Sequence, residues 1–453
     1  MSLTDQIFAA GIVGCGGAGF PTHAKLNGDA EWIILNAAEC EPLLRTDRYI
    51  LRHLAGRVIA AASAVRRELG DIRCTVATKS AYRQELTALR EAIAQIDPEI
   101  SIHEMDSFYP AGDEQTLVAE VTGQAVPPAG IPLDVGCVVS NVATMLSIAD
   151  AMEGKPFIWK YLTVSGLVRE PSVIHVPVGT SYADCIALAG GVSDENHIVV
   201  CGGPMMGKRM TRTQAADACI TKTTSGILLL PDIGPIAAAE KISVEHMKNR
   251  ARSACIQCSQ CTDLCPRHLL GHPIEPHRIM RKLAFAGAFS EILDDPAVQN
   301  AALCCECGVC ELFACPMSLQ PRRVNALIKA ELAKAEIRYP KGSGARDISP
   351  WRSGRKLPSK RAAARAGVLG FYDVCGTDTL RECIPAQVKI ALRQNIGAPA
   401  EPVIRDGESV TAGQLIAKCP EGKLGANLHA SISGTARIDP GYVTIQEGEG
   451  AAV

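Results

Sequence analysis

The spacing of apolar and polar residues divides the chain into stretches that predict different secondary structures. Residues 32–35 and 72–77 are apolar runs of strand length, and residues 80–96 carry apolar side chains at helical spacing. Residues 43–70 also show helical spacing, broken by arginines. Because strands and helices alternate in this way to about residue 155, the pattern predicts an α/β domain over residues 1–157.

The following stretch predicts a smaller domain of short, mixed elements over residues 158–240. Strand-like runs lie at residues 161–166, 172–177 and 198–201, and a short helix is predicted over residues 182–189. Glycine-rich turns separate these elements, which is typical of an α+β domain.

The remainder of the chain predicts a helical region, a linker and a β-domain. Residues 241–338 have helical patterns around clustered cysteines. Residues 339–375 contain many glycines, prolines and serines, and between Lys341 and Arg365 there are eight Lys or Arg and one Asp. That composition predicts a solvated basic linker, or a dock for an acidic partner. Residues 376–453 predict short strands punctuated by glycine, so the whole chain is expected to be a multidomain α/β and α+β protein.

Composition and charge exclude several classes of function. The chain has 453 residues, a net charge of −2 and 4% aromatic residues, which argues against a nucleic-acid partner. No apolar run reaches the ~18 residues that a membrane span requires. The N-terminus lacks the basic region of a signal peptide, so we expect a cytoplasmic protein in which cysteines stay reduced.

Eight of the 19 cysteines form two runs of similar spacing, C-x2-C-x2-C-x3-C-P and C-x2-C-x2-C-x4-C-P. Three thiolates spaced three residues apart can bind one cubane cluster, and the cysteine before proline binds the other cluster in two-cluster ferredoxins. The runs therefore predict two [4Fe–4S] clusters. The predicted ligands are Cys255, Cys258, Cys261 and Cys315 for one cluster, and Cys304, Cys307, Cys310 and Cys265 for the other.

Two alternatives remain open for these cysteines. Pairs of the form C-x2-C also build structural zinc sites, although zinc leaves the third cysteine and the Cys-Pro ending of each run unexplained. The second run has one additional residue in its last spacer, and Cys305 can take the place of Cys304 as a ligand. If the metal is iron, the clusters carry single electrons and need a donor and an acceptor.

The glycine loop at residues 14–19 is a candidate cofactor site. It fits G-x-G-x-x-G, and Glu39 follows twenty residues after Gly19, where a Rossmann domain places its acidic ribose ligand. A Rossmann loop connects a strand to a full crossover helix, whereas only about ten residues lead from this loop to the strand at residues 32–35. From these features alone the loop fits NAD, another ligand, or a tight turn without a ligand.

Four segments resemble, in the same order, the flavin segments of the FMN-binding subunit of respiratory NADH dehydrogenase and of the C subunit of the Rnf electron-transport complex. They are residues 14–25 (G-x-G-G-A-G-F-P-T-x-x-K), 36–42, 109–114 and 140–144. The resemblance implies an FMN site with NADH as electron donor, and it requires no catalytic acid or base. The cofactor-binding residues that it implies are Gly14, Gly16, Gly17, Gly19, Phe20, Lys25, Asn36, Glu39, Glu41, Tyr109, Gly112, Asp113, Glu114, Asn141 and Thr144.

The resemblance also implies roles for these residues. The glycines let the backbone approach a flat ring and turn N–H groups toward an anion. Lys25 would supply a charge for the FMN phosphate, and Phe20 would stack on the nicotinamide. Further implied roles are hydrogen bonds to the ribityl and phosphate groups from Asn36, Asn141 and Thr144, and carboxylates along the ring and nucleotide from Glu39, Glu41 and Glu114.

The two β-rich regions resemble modules of the same families. Residues 158–240 resemble the soluble-ligand-binding β-grasp (SLBB) domain, and residues 376–453 resemble a barrel-sandwich hybrid, a module found at the N-terminus of the Rnf protein. Barrel-sandwich folds also carry biotinyl or lipoyl groups, but Lys423 lies between Gly422 and Leu424, which is not the usual context of a modified lysine.

The order of flavin domain, β-grasp domain, dicluster ferredoxin-like domain and barrel-sandwich hybrid resembles the cobalamin reductase family of propanediol-utilisation bacterial microcompartments. The resemblance implies that electrons pass from NADH through FMN and two [4Fe–4S] clusters to the cobalt of cobalamin. An adenosyltransferase then rebuilds coenzyme B12. It further implies shell proteins as partners, a location inside a cytoplasmic microcompartment, and neither nucleic-acid binding nor a membrane span.

Two other functions fit the same sequence. One is an Rnf C-like protein that delivers electrons from NADH to ferredoxin, a quinone or another redox partner. The other is a non-enzymatic electron conduit that docks in a microcompartment and has a degenerate flavin site.

Overall fold

The first 157 residues form a parallel sheet with helices on both faces. The computed structural model describes residues 1–26 and 28–448, and in it the first sheet has the strand order β3-β2-β1-β5. The strands are β1 (Trp32–Ala37), β2 (Arg73–Lys79), β3 (Ser101–Met105) and β5 (Cys137–Asn141), with the short strand β4 (Phe108–Tyr109) outside this sheet. The helices are α1 (Leu3–Ala9), α2 (Thr22–Lys25), α3 (Thr46–His53), α4 (Ala55–Glu68), α5 (Arg83–Ile96), α6 (Glu114–Thr122) and α7 (Val142–Met152), with a 3₁₀ turn at Pro132–Val135.

Alternation along the central strand builds two cores. Ile33 and Leu35 point into a core that contains residues of α4, α5 and α7, whereas Ile34 points into a second core that contains residues of α6. Successive strand residues face opposite sides of a sheet, so both faces of the sheet are buried. The predicted α/β fold is confirmed, and the carboxyl ends of β1 and β5 lie side by side.

The glycine loop is not part of a Rossmann unit. Val13 makes only an isolated bridge to Pro21, and within residues 1–26 no extended strand precedes the loop. The helix that follows, α2, has four residues, in agreement with the short crossover that the sequence indicates. A Rossmann fingerprint requires a strand before the loop and a full helix after it, so this loop serves another architecture.

The second sheet corresponds to the predicted β-grasp region. Its strands from this region are β6 (Trp159–Gly166), β7 (Ser172–Pro177), β8 (His197–Cys201), β9 (Lys208–Met210) and β10 (Gly226–Pro231), and its helices are α8 (Tyr182–Leu188), α9 (Arg212–Ala216) and α10 (Pro235–Glu240). The strands run in the order β7-β6-β10-β8-β9, and β6 and β10 are parallel. Ile174, Leu162 and Leu229 are fully buried on one face of this sheet.

The cysteine-rich region is helical, as the sequence predicts. Its helices are α11 (Val244–Ala254), α12 (Gln260–Asp263), α13 (Pro266–Leu269), α14 (Pro276–Phe285), α15 (Pro296–Gln299) and α16 (Pro321–Lys334), with 3₁₀ turns at Phe289–Ile292 and Asn300–Leu303 and a π-helix at Val309–Ala314. The last four of these α-helices begin with proline, which has no N–H to leave unpaired at the first helical position. No helix among the described residues is long and apolar enough to cross a membrane.

Part of the predicted basic linker is packed into the molecule. Strand β11 (Leu357–Pro358) pairs with β4, and helix α17 (Ser359–Arg365) buries Ala362 and Ala363 completely. The expectation of a solvated linker is therefore wrong for residues 357–368. Basic residues flank the alanines of α17, and Ala362, Ala363 and Ala366 are buried together on one apolar face that composition alone does not reveal. Two 3₁₀ turns flank this segment, Ser353–Arg355 and Leu369–Phe371.

The C-terminal region forms two small sheets around one core. The strands are β12 (Leu380–Glu382), β13 (Gln387–Ala391), β14 (Glu401–Pro402), β15 (Ser409–Val410), β16 (Leu415–Lys418), β17 (Leu428–His429), β18 (Gly434–Asp439) and β19 (Tyr442–Gln446). The sheets β13-β19-β18-β15 and β14-β16-β17 enclose a core that includes Ile416, Val443 and Ile445, in agreement with the predicted sandwich. Strand β12 instead extends the second sheet beside β7. The end of the predicted domain, residues 449–453, lies outside the described residues.

Candidate functional site

Each predicted set of four cysteines lines one cavity. The first cavity encloses about 370 Å³ and is lined by Cys255, Cys258, Cys261 and Cys315, together with His277 and Met280. Three of these cysteines come from the first run and the fourth from the end of the second run. The sequence predicts that each run supplies its fourth cysteine to the other cluster. The cysteines that line this cavity are grouped in that way. Their assignment as ligands remains a proposal.

The second cavity shows the same exchange in the opposite direction. It encloses about 290 Å³, and its cysteines are Cys265, Cys304, Cys305, Cys307 and Cys310. Among the described residues, the buried Asn325 amide beside this cavity has no polar partner except the Cys304 thiol, which lines the same cavity. An amide N–H that faces thiolates and sulfides suits an iron–sulfur cluster, so the residues present fit that group.

The additional residue in the second run is absorbed by a π-helix. Residues Val309–Ala314 form this helix, which includes Cys310 and all four spacer residues and ends directly before Cys315. A π-turn holds one more residue than an α-turn, so the extra residue changes the winding of the helix locally. The departure from the ferredoxin spacing is therefore compatible with Cys315 reaching the first cavity.

A cleft lies at the carboxyl edge of the first sheet, beside the second cavity. The space within it, including open solvent at its mouth, is about 630 Å³. Ligands of open α/β sheets bind at this edge, outside the ends of neighbouring strands. The cleft is lined by Cys15, Gly16, Asn36, Glu39, Cys40, Glu41, Leu44, Thr46, Asp47, Gly112, Asn141, Ala143, Lys160, Tyr161 and Ser225.

The glycine loop and the start of α7 meet in this cleft. A Cβ atom added to Gly16 would lie 2.9 Å from the side chain of Asn141, so only glycine fits there. Asn141 caps α7 by accepting the N–H of Ala143, and the N–H of Cys15 donates to Thr144 at 3.0 Å. A glycine loop held against the N-terminus of an eleven-residue helix offers a flat surface and a positive end to an anionic cofactor.

Six of the fifteen predicted cofactor residues line the cleft, and the others lie around it. The six are Gly16, Asn36, Glu39, Glu41, Gly112 and Asn141. Asn36 donates to the carbonyl of Gly112 at 2.8 Å and fixes two of the four predicted segments to each other. The remaining predicted residues are Gly14, Gly17, Gly19, Phe20, Lys25, Tyr109, Asp113, Glu114 and Thr144, whose contacts with a cofactor stay predictions.

Several predicted residues outside the cleft already have protein partners. The ammonium of Lys25 lies 2.7 Å from Glu114, and both side chains are partly exposed. Asp113 caps α6 and lies 2.8 Å from the guanidinium of Arg267 in α13. Gly19 packs against Thr223 and Gln394, whereas Phe20 is exposed. These contacts connect the flavin segments to the second sheet, the cysteine region and the C-terminal region.

Buried carboxylates give the cleft an unusual protonation chemistry. Burial raises the pKa of Glu41 to about 7, although its carboxylate accepts the N–H groups of Met205 and Met206. Burial and the neighbouring Glu39 raise the pKa of Asp47 to about 7, and burial also raises the pKa of Glu39. Burial of the Lys79 ammonium lowers its pKa to about 8. Such groups can change protonation near neutral pH when charge develops beside them.

The residues that sequence reasoning missed come mostly from distant parts of the chain. Lys160, Tyr161 and Ser225 belong to the second sheet or its edge, and Asp47 lies at the start of α3. None of them falls in a glycine loop or a cysteine run, so no short motif marks them. Lys160 carries a signal that could have been noticed, because it stands between two aromatic residues at the start of a predominantly buried strand.

One tyrosine joins the cleft to the second cavity. The hydroxyl of Tyr109 donates to the backbone carbonyl of Cys307 at 2.8 Å and lies 3.3 Å from Oε1 of Glu41. Glu41 lines the cleft and Cys307 lines the cavity. A cofactor in the cleft is thus separated from the cysteines of the second cavity by little more than these side chains.

Four family models match the chain in the order of the regions described above. They are the Nuo51 FMN-binding domain at residues 7–150, the SLBB domain at residues 161–209, the 4Fe-4S dicluster domain at residues 254–320 and the RnfC barrel sandwich hybrid domain at residues 378–451. The fold, the cleft and the paired cavities thus define an electron-transfer oxidoreductase that uses FMN and two [4Fe–4S] clusters. The predicted class, fold and cofactors are confirmed, and iron–sulfur clusters replace the zinc alternative.

Comparison of the whole chain gives the family within this class. The chain is 38% identical to cobalamin reductase PduS of Salmonella typhimurium over 451 residues, 98% of this chain and 96% of that protein. It is 36% identical to cobalamin reductase PduS of Citrobacter freundii over 450 residues, 99% of this chain and 97% of that protein. The chain belongs to the cobalamin reductase PduS family.

More distant similarities cover parts of the chain. The C subunit of the Na(+)-translocating ferredoxin:NAD(+) oxidoreductase complex of Acetobacterium woodii is 34% identical over 274 residues, which are 59% of this chain and 58% of that protein. A solved NAD+-reducing [NiFe]-hydrogenase in the air-oxidized state has a TM-score of 0.50 at 19% identity, covering 80% of this chain and 67% of that chain. The hydrogenase comparison shows a shared fold.

Proposed function

We propose that this protein takes electrons from NADH and delivers them to the cobalt of a cobalamin. The relatives from Salmonella typhimurium and Citrobacter freundii that carry the name cobalamin reductase support this proposal over nearly the full chain. The observation that carries it is the Tyr109 hydroxyl, which contacts both Glu41 of the cleft and the backbone of Cys307. The cleft, where NADH would deliver its electrons, is therefore adjacent to the second cysteine cavity, which would carry them onward.

The cleft residues would hold FMN and exclude water from it. Gly16 and the N-terminus of α7 offer space and positive potential to the phosphate, and Asn36 and Asn141 have amide groups in reach of the ribityl chain. FMN held here would supply the conversion of a two-electron hydride donor into single-electron transfers, which two iron–sulfur clusters could carry. Glu41 and Asp47 have raised pKa values and can hold protons beside a ring whose charge changes.

The two cavities suggest a direction for electron flow. Cys265, Cys307 and Cys310 of the second cavity are buried, with 8%, 7% and 7% of their surfaces exposed, and this cavity lies next to the cleft. Cys258 of the first cavity is exposed, and Ile256 beside it is 61% exposed. We therefore assign the second cavity to the inner cluster and the first cavity to the outer cluster, which faces the electron acceptor.

Anaerobic reduction tests this proposal. The purified protein is expected to contain FMN and two clusters, to bleach on addition of NADH, and to reduce cob(III)alamin. Cys258→Ser is expected to keep NADH-dependent bleaching of the flavin while cobalt reduction falls, because the outer cluster is lost. Cys219→Ser, a half-buried cysteine outside both runs, serves as the matched control and should behave as wild type.

A second candidate is delivery of the same electrons to ferredoxin or a quinone. The similarity to the C subunit of the Acetobacterium woodii ferredoxin:NAD(+) oxidoreductase complex favours it. The same reduced protein is mixed with cob(III)alamin, ferredoxin and a water-soluble quinone in separate reactions. Faster reoxidation by ferredoxin or quinone than by cobalamin would replace the first proposal. Iron–sulfur absorbance without bound flavin would favour the non-enzymatic conduit.

We also propose a place for the protein in the cell. The resemblance to the microcompartment family suggests an adenosyltransferase as the acceptor of reduced cobalamin, and shell proteins as the surroundings. Co-purification of tagged protein with an adenosyltransferase from a microcompartment fraction tests both points. Recovery of the protein only outside that fraction would contradict the location.

A further inference from the structure

A buried lysine from the second sheet lines the flavin cleft without a partner. Lys160 in β6 has 3% of its surface exposed, and its side chain contributes to the cleft wall. Its closest recorded contact is the ring of Phe157, whose centroid lies 6.0 Å from the ammonium nitrogen. Within the described part of the chain, no hydrogen bond or ion pair holds this ammonium. A buried cation normally has a partner, and the open space of the cleft is where a missing partner can lie.

The contacts of neighbouring residues show which end of the cleft Lys160 occupies. Its charge acts on the carboxylate of Asp47 and lowers the pKa of that group against the effect of burial. Asp47 accepts a hydrogen bond from Nδ2 of Asn141 at 2.8 Å, and Asn141 packs against Gly16. Lys160 is therefore on the side where the glycine loop and the N-terminus of α7 converge.

Another group of cleft residues has different chemistry. Glu41, Cys40 and Gly112 line the cleft, and Glu41 leads through Tyr109 to the second cysteine cavity. The ring of a flavin that donates electrons to a cluster belongs beside these residues. The phosphate at the far end of the same molecule then lies toward the glycine loop, α7 and Lys160.

Lys25, the lysine that the sequence motif marks for the phosphate, is placed differently. Its ammonium is already 2.7 Å from Glu114, the two side chains are 28% and 49% exposed, and Lys25 does not line the cleft. Lys160 is buried and has no such partner. Of these two lysines, Lys160 has the position and the free donors that a phosphate dianion requires.

We propose that the ammonium of Lys160 contacts the 5′-phosphate of bound FMN and so ties the second sheet to the cofactor. The inference rests on the proposed function, because it requires FMN in this cleft. It makes Lys160 a binding residue that distinguishes FMN from riboflavin, which lacks the phosphate. It also gives the second sheet a direct part in cofactor retention.

Flavin titrations test this assignment. Flavin-free protein is titrated separately with FMN and with riboflavin, and binding is followed by quenching of flavin fluorescence. Lys160→Gln is expected to weaken FMN binding about 10- to 100-fold, the usual effect of losing one charged hydrogen bond, and to leave riboflavin binding unchanged. Lys160→Arg keeps the charge and should keep most of the preference for FMN.

The control variants separate the possible outcomes. The exposed Lys155→Gln is the control and is expected to bind both flavins as wild type does, and Lys25→Gln tests the competing assignment of the phosphate to Lys25. The inference is overturned if Lys160→Gln weakens both flavins equally or neither, or if Lys25→Gln alone shows the FMN-specific loss. The ratio of the two affinities is taken within each variant, so partial misfolding does not mask the result. Failure of the wild-type protein to bind either flavin would instead contradict the proposed function.

Discussion

Single residues in the cleft and the cavities carry the charge chemistry of this protein. Glu41 and Asp47 are carboxyl groups whose pKa values lie near 7 because burial disfavours their charged forms. Lys160 brings a positive charge to the same cleft from another sheet. The cleft can therefore change its net charge near neutral pH without a change in backbone structure.

Replacement of Asp47 by asparagine should flatten the dependence of stability on pH. Folded protein keeps the Asp47 proton up to about pH 7, whereas the unfolded chain releases it near its ordinary value of 3.8. Folded protein thus binds more protons in this window, and the free energy of unfolding falls as pH rises through it, by on the order of 3 kcal/mol. Asp47→Asn should lose its own part of this fall, while the raised pKa of Glu41 leaves the rest in place.

Urea midpoints of flavin-free protein at about pH 5 and about pH 8 provide the measurement. Asp217→Asn, an exposed residue, should retain the wild-type difference between the two midpoints. An equal difference in wild type and Asp47→Asn would show that Asp47 does not cause it.

Cys304 rather than Cys305 is expected to bind the inner cluster. Sγ of Cys304 accepts the N–H of Glu306 at 3.4 Å, much as Sγ of Cys315 accepts the N–H of Leu319 at 3.3 Å. Backbone N–H groups stabilise cluster thiolates in this way. Cys304→Ser should therefore lose about half of the iron, and Cys305→Ser should retain it. Iron analysis and EPR of the reduced protein decide between them, and the reverse result would exchange the two ligands.

Short helices position these residues and connect the regions of the chain. The π-helix Val309–Ala314 absorbs one extra residue, and α6 begins at an aspartate that also binds α13. Each of these short helices connects residues from distant parts of the chain. Substitutions in them are therefore expected to lower the free energy of unfolding more than substitutions in an ordinary surface helix.

Asp113 should be more sensitive to substitution than a helix cap alone. Asp113→Ala removes the cap of α6, which costs about 1 kcal/mol, and it also leaves the buried Arg267 charge without its partner, which costs about 3–5 kcal/mol. Asp113→Asn keeps a capping oxygen and should lose only the second contribution. Thermal unfolding of the anaerobic protein measures the difference. Arg267→Met combined with Asp113→Asn should recover much of the loss, and no recovery would contradict the ion-pair explanation.

At the scale of the whole molecule, the four predicted domains contact one another, and the first two of them line the cleft. Strand β12 from the C-terminal region extends the second sheet, and β11 pairs with β4. The ammonium of the buried Lys222 donates to the carbonyls of Gly11 and Asn427, which belong to the first and last regions. These contacts connect the regions into one structure. The domain boundaries drawn on the sequence therefore remain predictions.

Gly203 is expected to control the contact between the second sheet and the cleft. A Cβ atom at this position would lie 2.1 Å from Oε2 of Glu41, so Gly203→Ala must displace Glu41 from the N–H groups of Met205 and Met206. Overpacking of this kind costs about 1–3 kcal/mol. We expect lower FMN retention and slower reduction of the clusters by NADH, measured by stopped-flow absorbance. Gly376→Ala, where a Cβ meets open space, is the control, and equal rates in both variants would contradict this role.

The sequence alone determined the features that depend on local spacing. Cysteines three residues apart must lie close together, and a glycine loop followed in order by three further flavin-like segments predicts the cofactor and the fold of its region. Only the tertiary structure placed Lys160, Tyr161 and Ser225 in the cleft, joined Glu41 to Cys307 through Tyr109, and buried α17. Those contacts connect residues tens to hundreds of positions apart. They depend on how separately folded surfaces pack, which the spacing of residues along the chain does not specify.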